Sequence, residues 1–133
     1  MYKRQRAQGI DARPVAPPGP VVSVSSEETF ETDIDDRDAL RSITLRLAAD
    51  VAERLDREGR VAQTVTVKVR YPDFRIATRA QRASAPFRDP DELARLAVAA
   101  LERALAHRSP PLRLLGVGVT RLVDDEQLRL PVD

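Results

Sequence analysis

The stretch from Thr64 to Ala83, TVTVKVRYPDFRIATRAQRA, constrains the fold of this chain more than any other. In its first half Val65, Val67 and Val69 alternate with Thr64, Thr66, Lys68 and Arg70. Successive residues of a strand point to opposite sides of a sheet, so the valines go to one face and the hydroxyls and charges to the other. Such a strand needs an apolar layer on one side and water or a charged partner on the other. Pro72 presets the backbone for a turn and Asp73 can accept from its own backbone nearby, so Tyr71-Pro72-Asp73-Phe74 reads as the turn of a hairpin. The second half continues less cleanly: Phe74, Ile76 and Ala80 are expected inward, and Arg75, Arg79 and Gln81 outward.

The hairpin is also basic. Between residues 60 and 88 stand Arg60, Lys68, Arg70, Arg75, Arg79, Arg82 and Arg88, against Asp73 as the one acid. Residues 31–58 reverse the balance, with nine acids and five bases, so the net charge of +1 hides charge that is sorted by element. A face-specific polyanion site requires that sorting. With 133 residues, 42% of them apolar, the chain can bury one modest core and is expected to be a single domain with tails. It contains no cysteine, which excludes disulfides, thiolate metal sites and thiol nucleophiles. No apolar run is long enough to span a bilayer and no signal-peptide core is visible, so a cytoplasmic protein with no membrane partner is expected.

Residues 1–20 hold Pro14, Pro17, Pro18 and Pro20 and no hydrophobic periodicity, and read as an extended tether. Met1–Gln5 is set aside from the fold argument. Val21–Phe30 alternates as a first strand. Asp35, Asp36 and Asp38 can cap a helix in which Leu40, Ile43, Leu47, Val51 and Leu55 form an apolar stripe and Gly59 marks the stop, about five turns in all. After the hairpin, Asp89-Pro90-Asp91-Glu92 predicts a second helix start, with Asp89 as cap and Glu92 completing a capping box. Its stripe runs from Leu93 to Leu105, and Pro110-Pro111 bars continuation. Leu112–Leu122 is a last strand, and the polar stretch 123–133 is expected as a flexible tail. The fold class predicted is α+β: a two-layer sandwich in the order β-α-β-β-α-β, with the helices on one face of the sheet.

No catalytic constellation emerges. His107, the only histidine, falls in the last turn of the second helix, where the helix dipole favours it. Glu27, Glu28, Glu31, Asp33, Asp35 and Asp36 are oxygen-rich enough to suggest hard cations, but capping and solvation account for them. No cofactor and no metal site are therefore expected. Binding is better supported, because a sheet face bearing Ser23, Ser25, Thr64, Thr66, Lys68, Arg70, Arg75, Arg79 and Thr120 offers donors to phosphate oxygens. With no exposed aromatics expected on it, that face suits a duplex rather than a single strand. Small-ligand regulatory modules of ferredoxin-like order and RNA-binding modules share this element pattern. The first would carry a ligand pocket and form dimers, and the second would display stacking aromatics on its central strands.

SVSSEETF on the first strand, YPDF followed by ATRA, FRDPDEL at the second helix start and RLLGVGVTRL on the last strand, in that order, resemble the little finger domain of Y-family DNA polymerases. The pattern is most similar to the bacterial DNA polymerase IV, or DinB, group, and covers about Gly9 to Asp133. The resemblance implies a four-stranded antiparallel sheet of order 1-4-2-3 and a monomer. It implies a domain that grips duplex template-primer DNA in the major groove, in a translesion polymerase whose catalysis and magnesium belong to a palm. Palm, fingers and thumb are not present in this chain and would be its partners. By position, the backbone contacts implied fall on Ser23, Ser25, Lys68, Arg70, Arg75, Arg79, Arg113 and Thr120. Val22 and Gly118 depart from the family, which commonly has basic residues there, and Arg113 and Arg121 are candidates to compensate. Gln127-Leu128-Arg129-Leu130-Pro131-Val132 is similar to the bacterial sliding-clamp binding hexapeptide, which implies clamp contacts from Gln127, Leu128, Leu130 and Val132.

Overall fold

The computed structural model describes residues 24–120 and the backbone of residues 123–124. The elements follow as β1 (Val24–Ile34), α1 (Arg37–Glu58), β2 (Arg60–Arg70), β3 (Ile76–Phe87), α2 (Pro90–His107), β4 (Leu112–Thr120) and the short β5 (Val123–Asp124). The four long strands form an antiparallel sheet in the order β1-β4-β2-β3, the order that the family resemblance implies. Both helices pack on one face of it.

Helix α1 begins where Asp36 can serve its free N–H groups, its carboxylate accepting from Asp38 N at 2.9 Å and Ala39 N at 3.4 Å. It ends at Gly59, whose φ of 66° is left-handed and costs glycine nothing. Its 22 residues make it about a turn longer than the sequence pattern suggests. Helix α2 starts at Pro90, with Asp89 accepting from Asp91 N. Glu92, expected to complete a capping box, instead forms a bidentate pair with Arg95 at 3.1 and 2.7 Å.

The apolar stripes of both helices meet the valine side of the sheet. Leu40, Val51, Leu55, Val65, Val67, Val69, Leu93, Ala97 and Leu115 are fully buried in one cluster. Each valine or leucine so buried stabilises the fold by about 1.5–3 kcal/mol before ordering costs. Thr44, the buried polar residue of α1, is satisfied by donating to Leu40 O at 2.8 Å.

Several boundaries differ from the sequence expectation. β1 runs on past Phe30 to Ile34, with a register irregularity between Thr29 and Ile34, so Glu31 and Asp33 belong to a strand. β2 starts at Arg60 rather than Thr64, and β3 runs on to Phe87, past the Ala83 bound of the hairpin stretch. Val123 and Asp124, within the stretch read as tail, pair with Val61 and Arg60 of β2. The tether at 1–20, Ser23 and the clamp-like residues Gln127, Leu128, Leu130 and Val132 lie outside the described residues.

Candidate nucleic-acid interface

Residues directly opposite one another in a sheet share a face. Val65, Val67 and Val69 of β2 stand beside Val119, Val117 and Leu115 of β4, and these face the helices. The even-numbered residues of β2 define the other face, which no helix among the described residues covers. Thr64, Thr66, Lys68 and Arg70 stand beside Thr120, Gly118, Gly116 and Leu114 of β4. Beyond β4, Ser25 and Glu27 of β1 lie opposite Gly118 and Gly116.

The glycines shape this face. A Cβ on Gly116 would lie 3.1 Å from Glu27 Cβ, and one on Gly118 3.1 Å from Ser25 Cβ. Without those carbons a shallow trough of about 200 Å³ opens over β4, lined by Ser25, Glu27, Thr66, Lys68, Thr78 and the glycines themselves. Over Gly116, Lys68 Nζ reaches Glu27 Oε1 at 3.1 Å, bridging β1 and β2 across two inter-strand spacings, about 9.5 Å. Both partners are half-exposed, and such pairs are worth about 0–1 kcal/mol. Glu27 therefore sits inside the candidate face. Arg70 Nε is buried with no acceptor among the described residues, which leaves one donor of the face unmet.

The phase of β3 corrects the sequence expectation. Arg79 lies opposite Val67 and Gln81 opposite Val65, so Arg79 shares the helix-covered side and not the side of Lys68 and Arg70. Arg103 of α2 confirms that side, donating to Gln81 Oε1 at 3.1 Å and to Ala80 O at 2.8 Å. Ile76, Thr78, Ala80 and Arg82 occupy the open face, opposite Arg70, Lys68, Thr66 and Thr64. Ile76 and Ala80, expected inward, are exposed, while Ala77 packs against the core. The exposed Arg82 is a basic residue of the face that alternation from the turn does not select.

The hairpin tip is the second correction. Tyr71, at the turn, is buried, with 2% of its surface exposed, and its hydroxyl donates to Arg108 O at 3.1 Å. Burial pushes that hydroxyl's pKa up, against the nearby Arg108 and Arg79 charges. Phe74, expected inward, is 63% exposed with a φ of 70°. Its N–H donates to Tyr71 O at 2.8 Å, and Tyr71 N–H donates to Arg75 O at 2.9 Å. The Arg75 N–H, bonded to Asp73 at 3.1 Å, and then the Arg108 guanidinium hold Asp73 below the usual carboxylate range. Arg75 itself is 83% exposed. Arg113 is not free on the face: its Nε donates to Asp33 at 3.3 Å and its guanidinium lies 4.8 Å from the Phe74 ring centre.

Two further acids of β1 and α1, Glu28 and Asp50, are partnered. Glu28 pairs with Arg46, and Asp50 accepts from Ser26 at 3.5 Å on the helix side. Among the described residues no three histidine or carboxylate groups converge as a metal site, and no helix is long and apolar enough to cross a membrane.

Residues 21–131 match the impB/mucB/samB family C-terminal domain. The chain is 39% identical over 122 residues to DNA polymerase IV of Xanthomonas euvesicatoria pv. vesicatoria (strain 85-10), covering 92% of this chain and 34% of that protein. It is 36% identical over 125 residues to DNA polymerase IV of Desulfatibacillum aliphaticivorans, covering 94% and 31% respectively. The chain thus spans about a third of the length of these relatives. Among solved structures, a complex of the beta-clamp processivity factor and the little finger domain of PolIV matches with a TM-score of 0.61 at 24% identity, over 84% of this chain and 97% of that one. An insertion ternary complex of Dbh DNA polymerase matches with a TM-score of 0.69 at 14% identity, over 86% of this chain and 32% of that one. At those identities the likeness is one of fold.

Proposed function

The chain belongs to the impB/mucB/samB family, of which it carries the C-terminal, little finger domain, and on that premise we propose that its open sheet face holds duplex DNA for a translesion DNA polymerase IV. The observation that carries this reading is the open face itself: hydroxyls and bases interleaved on one strand with the valines of the core. Ser25, Thr64, Thr66, Lys68, Arg70, Arg82 and Thr120 offer donors to phosphate oxygens, and Ser23, which lies outside the described residues, is a further candidate. The Glu27–Lys68 pair is weak enough for a phosphate to displace Glu27. The central strands β2 and β4 carry no aromatic side chain on that face, which suits a duplex backbone and disfavours RNA recognition by stacking. The trough of about 200 Å³ is smaller than the pockets that enclose small ligands, so the open face itself does not suit a small-ligand site. Arg75 remains a candidate contact at the tip, whereas Arg79, on the covered side of β3, is not among the contacts of the open face.

The domain needs no cofactor of its own in this reading. Among the described residues no carboxylates cluster in a way that would hold magnesium, and phosphoryl transfer with its metal ions would belong to a palm domain. The parent polymerase would supply palm, fingers and thumb. The tail, through Gln127, Leu128, Leu130 and Val132, would dock as an extended peptide in an apolar cleft of the bacterial sliding clamp.

If about four phosphates are neutralised, log affinity for duplex DNA falls with log salt at a slope near −3.6, about 0.9 per contact. A flat salt dependence, or no DNA binding, overturns the assignment. Capture of the chain by the sliding clamp should be lost in the double variant Gln127→Ala, Leu130→Ala, and capture that survives it overturns the tail assignment.

A further inference from the structure

Phe74 and Ile76 are two of the three large apolar side chains exposed among the described residues, at 63% and 50%, and they stand two residues apart at the hairpin tip. A phenylalanine with φ near 70° is a backbone outlier that persists only where its surroundings over-determine it, and such outliers cluster at binding sites. Here the surroundings do so. The Tyr71–Arg75 and Phe74–Tyr71 backbone bonds close the turn, Asp73 caps it, and Arg108 ties Asp73 down at 3.1 Å while lying 4.0 Å from the Tyr71 ring centre. The ring is held out toward solvent on a braced support, with a guanidinium, Arg113, on it at 4.8 Å.

We propose that the hairpin tip, with Phe74 as its platform, is a stacking site for an unpaired nucleobase of the DNA whose phosphates lie on the open sheet face. The inference rests on that phosphate-binding reading. Ile76 lies opposite Arg70 on the open face, so the tip is continuous with it. The company Phe74 keeps selects the ligand. Arg75, at 83% exposure, and Arg113 flank it, two guanidiniums that suit an anionic ligand beside the ring. A nucleotide offers what this site can use, an aromatic face for the ring and a phosphate for Arg75. Bases inside a duplex present only their edges in the grooves, so the base must be unpaired: one in a single-stranded extension beyond the duplex held by the sheet.

The test is titration of the full chain with a duplex carrying a single-stranded extension, against the same duplex with an abasic extension of equal length. The two DNAs have the same phosphates and differ only in bases. The wild-type chain should bind the base-bearing DNA about fivefold more tightly, the low end for one stacked base. Phe74→Leu, which keeps apolar bulk but has no π-face, should abolish the preference and leave affinity for the abasic DNA unchanged, and Phe74→Trp should retain it. Equal wild-type affinity for both DNAs overturns the stacking site while the phosphate face stands. A preference that survives Phe74→Leu also overturns it. Failure to bind either DNA overturns the phosphate face and the stacking site together.

Discussion

Two sets of residues alternate along β2 and could hardly live more differently. Val65, Val67 and Val69 are fully buried between sheet and helices, while Thr64, Thr66, Lys68 and Arg70 look out from the uncovered side. The covered face is bound by volume, because packed interiors leave no room for change. The open face is bound by charge and by the absence of bulk, with Gly116 and Gly118 keeping its middle low. One strand thus separates a packed side from a charged one by the two-residue period alone, and substitutions on the two faces should report in different experiments.

The sharpest separation comes from the core. Leu115→Ala removes a fully buried side chain and should cost about 2–5 kcal/mol in a denaturant melt, while the salt slope of DNA binding by the folded fraction stays at its wild-type value. A loss of stability below about 1 kcal/mol would show that the covered face is more yielding than its packing implies.

A smaller effect divides β3. Arg82 lies on the open face and Arg79 on the covered one, three residues apart. Arg82→Gln should flatten the slope of log affinity against log salt by about 0.9, and Arg79→Gln should leave it unchanged. Both should keep stability within about 0.5 kcal/mol, as surface changes do. The reverse result would place the DNA on the β3 edge and erase the distinction drawn between the faces.

The smallest effect concerns the tip that joins them. The carboxyl of Asp73 is held below its ordinary range in the folded state, so its contribution is present above the unfolded value of about 4 and is lost as pH falls through the folded one. Between pH 5 and 2 the thermal midpoint of Asp73→Asn should therefore fall less steeply than that of the wild type. Parallel profiles would mean that Asp73 does not brace the turn.

Much of this fold is written locally. Asp36 and Asp89 as caps, Gly59 as a stop, Pro90 at a first turn and the stripe from Leu40 to Leu55 all act within a few residues of themselves, so their signals survive without tertiary context. The valine alternation of β2 is equally plain, because that strand has a core on one side only. β3 is different. Neither of its two alternating sets is apolar, Ile76, Thr78, Ala80 and Arg82 against Ala77, Arg79 and Gln81, so hydrophobicity cannot choose between them. The choice falls to the register that the turn imposes, and a slip of one residue exchanges every side chain. Counting inward from Phe74 places Arg79 on the open face and hides Arg82.

The amino-acid sequence by itself determined the elements, their order, the basic character of the hairpin and the family pattern, because capping, periodicity and charge are properties of neighbours along the chain. Tertiary structure alone decided which arginines share a face with Lys68, that Glu27 reaches Lys68 over Gly116, and that Phe74 stands exposed at the tip. Those depend on pairing between residues far apart in sequence, and pairing is set by the energy of the whole sheet rather than by any one strand.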